Sequence, residues 1–332
     1  MSQDIHLLLS TMLLPSKLFE TRAKGKLLLS GEYVVLDGAT ALAVPVRFGQ
    51  SLQVIMMLDG AKELVWESKD WDGSVWFSAV YELPYLGVVE TSDRSVAEML
   101  ASILRDCQRQ NPVFLNEAQG LSVTTICDFP RAWGLGTSST IIAAIAEWAQ
   151  VDPYPVLQNT LGGSGYDIAC AYAFSPLLYR LEAKKPIVRF VAFEPPFAEN
   201  LYFVYLEKKQ NSREGIARYR EKAKDNPGLV DEISGLTERI LNADNLEDFE
   251  ANLREHESII GKALDFNPVG QQLFRDYGGE IKSLGAWGGD FVLATSRESA
   301  PDTAAYFLKK GFETVLRWDQ MVFSDTPSLH YT

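Results

Sequence analysis

The chain has 332 residues, 46% hydrophobic and 11% aromatic, which is ample material for a packed core and long enough to favour two domains over one. Its formal net charge of −13 repels polyanions and acidic membranes, which argues against nucleic acid and membrane partners. An anionic ligand would therefore need a local positive pocket.

Three scattered cysteines, Cys107, Cys127 and Cys170, show no CxxC pairing and read as buried free thiols in a reducing cytoplasm. His6, His256 and His330 have no metal-ligand spacing, which argues against zinc chemistry. Residues 5–14 are apolar, but Asp4 precedes them, no basic leader is present, and the run is too short to span a bilayer. They read as an extension before the first strand.

Residues 18–29 and 40–57 read as strands. Asp59-Gly60 lies between apolar runs ending at Met57 and beginning at Leu64, which implies a hairpin. Ser92 or Asp93 can cap a helix running to about Gln108, with Val96, Met99, Leu100, Ile103 and Leu104 on one face. Residues 121–129 form a strand, and residues 140–149 are apolar and small at helical spacing. A small-residue helix follows Asp167, then strands over 177–181 and 187–193. Glu194-Pro195-Pro196 marks a boundary between domains 1–195 and 196–332. Beyond it come a strand over 201–206, polar helices over 212–224, 229–241 and 245–264, a strand over 291–295, a helix ending near Gly311, and a strand over 312–318. Asn245 followed by Glu247 and Asp248 is a good helix start, and Phe249, Leu253 and Ile260 form an inward stripe.

Residues 130–139, Pro-Arg-Ala-Trp-Gly-Leu-Gly-Thr-Ser-Ser, place a Gly-x-Gly turn and three hydroxyl residues between a strand and a helix. Glycines allow backbone N–H groups to approach an anion closely, and the helix N-terminus adds unpaired N–H groups and a positive dipole end. The same turn also suits close packing of a helix on a strand.

Two further segments stand in order with it: Gly25-Lys26-Leu27-Leu28-Leu29-Ser30-Gly31-Glu32-Tyr33-Val34-Val35-Leu36-Asp37-Gly38, and Lys282-Ser283-Leu284-Gly285-Ala286-Trp287-Gly288-Gly289-Asp290. A fourth is Gly162-Gly163-Ser164-Gly165-Tyr166-Asp167-Ile168-Ala169. Together they resemble the GHMP kinase superfamily from about Lys24 to about Thr295. Gly31-Glu32-Tyr33, in place of Gly-Glu-His, and the terminal Gly-Gly-Asp are more similar to phosphomevalonate kinases than to mevalonate kinases. The fourth segment also matches a bacterial group of kinases known by its Gly-Tyr-Asp-Ile-Ala signature.

The resemblance implies an α+β, two-domain fold, with a ribosomal-S5-domain-2-like N-terminal domain and a ferredoxin-like C-terminal domain. It implies ATP and Mg²⁺ as cofactors, ATP lying on Pro130, Trp133, Gly134, Leu135, Gly136, Thr137, Ser138 and Ser139, with Ser138 as the metal ligand. Thr137 and Ser139 have an alternative role as helix caps. Asp167 and Lys26 are the implied catalytic pair. Asp167 would act as base or as an orienting group, and its plain alternative is a helix N-cap. Lys26 would stabilise the reacting oxygen, its alternative being a strand-edge lysine such as Lys24. The acceptor would contact Glu32, Tyr33, Gly165, Ser212, Lys282, Gly285 and Asp290. Lys282 is the first choice for a substrate phosphate, ahead of Arg131 and Arg213, because an acidic protein needs dedicated donors for such a ligand.

The chain departs from the family in three ways. Asp167 follows Gly136 by only 31 positions, the helical Glu of mevalonate kinases has no counterpart near Pro155-Val156-Leu157-Gln158-Asn159, and Trp287 replaces a loop glycine. The expected activity is transfer of the ATP γ-phosphoryl group to 5-phosphomevalonate, in a cytoplasmic monomer or homodimer. Its alternatives are a mevalonate or sugar-type alcohol kinase and a nucleotide-binding protein without catalysis.

Overall fold

A computed structural model describes residues 17–58, 60–116, 119–208, 212–222, 226, 228–285, 287 and 289–325, the side chains of Ser212 and Arg213 excepted. The N-terminal extension, His6, Asp59, Ala286, Gly288 and His330 lie outside the described residues.

In chain order the elements are β1 (Lys17–Ser30), β2 (Ala41–Met56), β3 (Glu63–Lys69), β4 (Val75–Glu82), β5 (Gly87–Thr91), α1 (Arg94–Gln110), β6 (Leu121–Cys127), α2 (Thr137–Ala149), α3 (Pro153–Thr160), α4 (Tyr166–Tyr172), β7 (Leu177–Glu182) and β8 (Lys185–Phe190). There follow β9 (Leu201–Tyr205), α5 (Ser212–Lys222), α6 (Leu229–Leu241), α7 (Leu246–Leu264), α8 (Val269–Leu273), β10 (Ile281–Ser283), β11 (Phe291–Thr295), α9 (Ala300–Lys309), β12 (Val315–Arg317) and α10 (Trp318–Met321). One mixed sheet has the order β5-β4-β3-β6-β2-β7-β8 with β1 on β2, and a smaller antiparallel sheet has the order β10-β11-β9-β12.

The chain divides into two compact units, the described residues of 1–22, 50–127 and 144–160 forming the first and those of 23–49, 128–143 and 161–332 the second. Residues on both sides of Pro195 belong to the second unit.

In the first unit, β3 pairs in parallel with β6, and β6 pairs antiparallel with the end of β2, Gln50 opposite Cys127. The hairpin expected at Asp59-Gly60 is therefore not formed. Strands β2 and β3 run in opposite directions, but β6 lies between them, because turn residues specify a reversal and not which strand fills the neighbouring place. Strand β3 alternates, with Leu64, Trp66 and Ser68 inward. Ser68 Oγ accepts hydrogen bonds from Trp66 Nε1 at 3.0 Å and from Thr125 Oγ1 at 2.9 Å, which satisfies three buried polar groups together. Helix α1 starts where the Asp93 carboxylate accepts from the Ser95 and Val96 amides. Its buried face is Ala97, Leu100, Ala101, Ile103, Leu104 and Cys107, while Met99, expected on that face, is exposed.

In the second unit, the start of β2 pairs with β7, Ala41 opposite Tyr179, and β7 pairs with β8. The later part of this unit runs β9, α5 to α8, β10, β11, α9, β12. With the strand order given above, this is the ferredoxin-like arrangement. Helix α7 is capped by Asn245, whose side chain accepts from the Asp248 amide, and it buries Phe249, Leu253, Ile260 and Leu264. Phe249 and Leu253 join Leu27, Leu42, Val44, Phe129, Phe203 and Phe291 in one apolar cluster, which fixes the floor beneath β1 and the Gly-rich loop.

Candidate active site

All the residues that follow lie within the second unit. Pro130 precedes a short 3₁₀ turn, Arg131–Trp133, that closes at Gly134 with φ +68°; Gly136 then takes φ +99° and α2 begins at Thr137. These are backbone conformations that side chains resist, so the turn requires glycine at both positions. Strand β1 is drawn against this loop. The Lys26 amide donates to Leu135 O at 2.9 Å, and a Cβ on Gly25 would come within 2.8 Å of the same oxygen.

The Lys26 ammonium donates to Gly134 O at 3.0 Å and lies 5.9 Å from the centroid of the Tyr166 ring. A Cβ on Gly136 would approach Ser139 Oγ at 3.0 Å and Lys26 Cε at 3.2 Å, so the glycine opens the space between the lysine stem and α2. Of the three hydroxyl residues, Ser139 is buried and donates to Gly136 O at 2.9 Å, bracing the turn. Thr137 is half-buried and Ser138 is exposed on the first turn of α2. Amides of the first turn and one lysine suit a nucleotide's phosphates in their donor chemistry, and the Ser138 hydroxyl is the group that offers an oxygen to a magnesium ion. Among the described residues no group of three His, Cys, Asp or Glu side chains is placed to hold a metal ion.

Trp133, expected against ATP, is half-buried with its ring edge-on to Phe48 at 5.3 Å and to Phe291 at 5.6 Å. It anchors the loop to the apolar cluster.

Gly165, with φ +88°, is the N-cap of α4, and Asp167 stands in the first turn of that helix with Oδ1 accepting from the Ile168 amide at 3.0 Å. Asp167 is thus not the cap that its plain reading offered, and its carboxylate is half-buried at a helix N-terminus, where negative charge is favoured. Burial pushes the Cys170 thiol well up. The Asp167 charge adds to that shift and the Lys26 charge opposes it, so both catalytic candidates act on the same sulfur. The Tyr166 phenol is raised by burial first and by Asp167 next.

The residues expected to hold the acceptor divide into two groups. Lys282 is 0% exposed, and its ammonium donates to Glu32 Oε1 at 2.6 Å and lies 3.2 Å from Glu257 Oε1. The lysine expected to meet a substrate phosphate is thus held by two carboxylates and has no exposed surface. Glu32 is likewise 1% exposed and turned inward, its carboxyl raised by burial and lowered in part by Lys282. Tyr33 is buried and stacks on Tyr219 at 6.0 Å. Asp290 holds φ +52°, accepts from the Leu206 amide at 2.7 Å through its carbonyl, and sets its carboxylate against Gly134, leaving no room there for a side chain. Gly285, with φ +58°, has open space where a Cβ would stand. Ser212 opens α5, but its side chain, like that of Arg213, lies outside the described residues. Trp287 is buried, with the Lys282 ammonium 5.6 Å from its ring centroid, so the indole points into the core and covers the buried lysine. Lys24 lies 4.6 Å over the Phe323 ring.

His256 and Glu257 were not among the expected site residues. The Gly31 amide donates to His256 Nε2 at 3.0 Å, and Glu257 Oε2 accepts from Ser283 Oγ at 2.7 Å. A signal was present in the sequence, since His256 interrupts the apolar stripe Phe249, Leu253, Ile260, Leu264 at a position that must face inward.

Compared by sequence, the chain matches no protein-family profile and no curated protein. Compared by fold, it resembles L. major mevalonate kinase in complex with R-mevalonate, with a TM-score of 0.65, 16% identity, and coverage of 94% of this chain and 98% of that one. It also resembles Streptococcus pneumoniae phosphomevalonate kinase in complex with phosphomevalonate and AMPPNP, with a TM-score of 0.69, 14% identity, and coverage of 90% and 100%. Lactococcus lactis galactokinase complexed with galactose gives a TM-score of 0.61 at 13% identity, with 88% of each chain covered. The chain has the fold of the GHMP kinase superfamily, to which these three proteins belong.

Proposed function

We propose that this chain is an ATP-dependent small-molecule kinase acting through the GHMP fold. The observation that carries the reading is the Lys26, Gly134, Gly136 and α2 cradle, with the Lys26 ammonium 5.9 Å from the ring of Tyr166, the residue before Asp167. Simple nucleotide binding requires neither the lysine nor the carboxylate. The amides of the first turn of α2 and the Ser138 hydroxyl would hold the nucleotide phosphates and magnesium, which supplies charge neutralisation when bound. Lys26 would stabilise negative charge on the acceptor oxygen, and Asp167 would accept the acceptor proton or orient the oxygen that carries it. Cytoplasmic location belongs to the same proposal, as does a functional boundary near Pro195. Among the described residues no helix is long and apolar enough to cross a membrane.

For the acceptor, the motif resemblance and the fold likeness to a phosphomevalonate kinase support 5-phosphomevalonate as the first reading. An unphosphorylated alcohol, such as mevalonate or a sugar, is favoured by one specific observation: the lysine expected to meet the substrate phosphate is buried between Glu32 and Glu257. ADP release measured with mevalonate, phosphomevalonate, homoserine and galactose distinguishes the two. Turnover of phosphomevalonate alone supports the first reading, turnover of an unphosphorylated alcohol alone replaces it with the second, and no turnover with any of them removes the kinase proposal.

A further inference from the structure

A lysine with no exposed surface persists only where its charge is matched and its protons are taken. Lys282 meets that condition through groups on three separate segments: its own strand β10, the turn after β1 and helix α7. Glu32 takes the ammonium at 2.6 Å, Glu257 stands at 3.2 Å, and the carbonyl of Ser283 takes a further proton. Ser283 Oγ in turn donates to Glu257, fixing that carboxylate from its other oxygen. One residue before Glu32, the Gly31 amide is held by His256 Nε2. Gly31 has φ +87°, and a Cβ there would lie 2.6 Å from Ala41 Cβ, so the turn is pressed against β2 on its opposite side. The Gly31-Glu32-Tyr33 turn is therefore gripped at consecutive residues, by backbone at Gly31 and by side chain at Glu32.

We propose that Lys282, Glu257 and His256 form a buried strut that positions the Gly31-Glu32-Tyr33 turn at the acceptor site, so that Lys282 acts through Glu32 and does not touch the acceptor. This rests on the kinase reading for its catalytic consequence and on geometry alone for the strut itself.

The strut changes charge near neutral pH. Burial pushes the Glu257 carboxyl up to about 7, against the opposing pull of Lys282 and Ser283 and with a smaller upward push from Glu32. His256, beside it on α7, is kept neutral by burial and by Lys282, and its acceptance at Nε2 places the ring proton on Nδ1. Glu280, just before β10, feels the Glu257 charge only weakly, and its own carboxylate is paired with Arg254 at 2.8 Å. A carboxyl whose folded pKa is raised from 4.5 to about 7 favours the fold in its protonated form. That contribution is complete below about pH 4.5 and is lost as pH rises through about 7.

Two measurements on the full chain test the strut. The first is Tm against pH from about 5.5 to about 8.5, which needs no substrate: relative to Glu257→Gln, which keeps the side-chain shape, the wild-type Tm falls as pH rises to about 7 and runs parallel above it, the opposite contribution of neutral His256 being common to both proteins. Wild-type and Glu257→Gln profiles that run parallel across this whole range overturn the proposal. The second is kinetics with whichever acceptor the wild type turns over. Lys282→Met is expected to lower kcat by about tenfold to a hundredfold while KM for ATP stays within about twofold. A folded Lys282→Met with wild-type kcat and a raised KM confined to a phosphorylated acceptor would make Lys282 a phosphate ligand and sink the strut. If Lys282→Met does not fold, Glu257→Gln carries the kinetic arm: its kcat is expected to lose the wild type's pH dependence around 7, and an unchanged profile counts against the strut. Failure of every acceptor refutes the kinase reading and leaves the strut to be decided by the Tm profile.

Discussion

At the scale of the residue, the chemistry depends on where single charges end. Lys26 and Lys282 are both motif lysines, yet one reaches the carbonyl of the Gly-rich turn and the other is buried between two carboxylates. If Lys26 and Asp167 act on the transferring group, Lys26→Met and Asp167→Asn should each lower kcat by about 10²–10⁴ and leave ATP affinity in calorimetry largely intact. Wild-type turnover in either variant would take that residue out of the mechanism. The motifs made Lys26 and Asp167 legible as candidates because their spacing to neighbouring glycines is local. The partner of Lys282 was not legible, because Glu257 and Glu32 meet it only through tertiary packing.

At the scale of the element, caps and glycines are strong signals and strand partners weak ones. Asn245 reads as a helix start and is one, its side chain accepting from the Asp248 amide at 2.9 Å. Asn245→Ala should therefore cost about 0.5–2 kcal/mol in denaturant unfolding, and an unchanged midpoint would show that the cap adds nothing to α7. At Gly136, φ +99° and the Ser139 hydroxyl 3.0 Å from a would-be Cβ leave no place for a branched side chain. Gly136→Val is expected to abolish ATP binding in a protein that remains folded by circular dichroism; retained affinity would move the nucleotide site elsewhere. In contrast, Asp59-Gly60 was a sound turn signal attached to the wrong partner, since β6, more than fifty residues later, takes the place beside β2.

At the scale of the whole molecule, the second unit rests on a cluster in which Phe249 and Leu253 from α7 meet Phe203 and Phe291 from the antiparallel sheet. Phe249 is 0% exposed, so Phe249→Ala should destabilise the protein by about 3–5 kcal/mol in reversible unfolding. A loss below about 1 kcal/mol would mean that the cluster relaxes to fill the cavity. By itself the sequence determined the Gly-rich turn and its helix, the capped α7 with its inward stripe, the buried cysteines and the ordered motifs that resemble GHMP kinases. Each of these depends on residues close along the chain, where φ preferences, capping and periodicity act directly. Only the tertiary structure decided that β6 separates β2 from β3, that Trp287 turns inward over Lys282, and that His256 and Glu257 brace the first motif. Those outcomes depend on desolvation and pairing between distant segments, and a buried charge takes whichever counter-charge the completed fold brings to it.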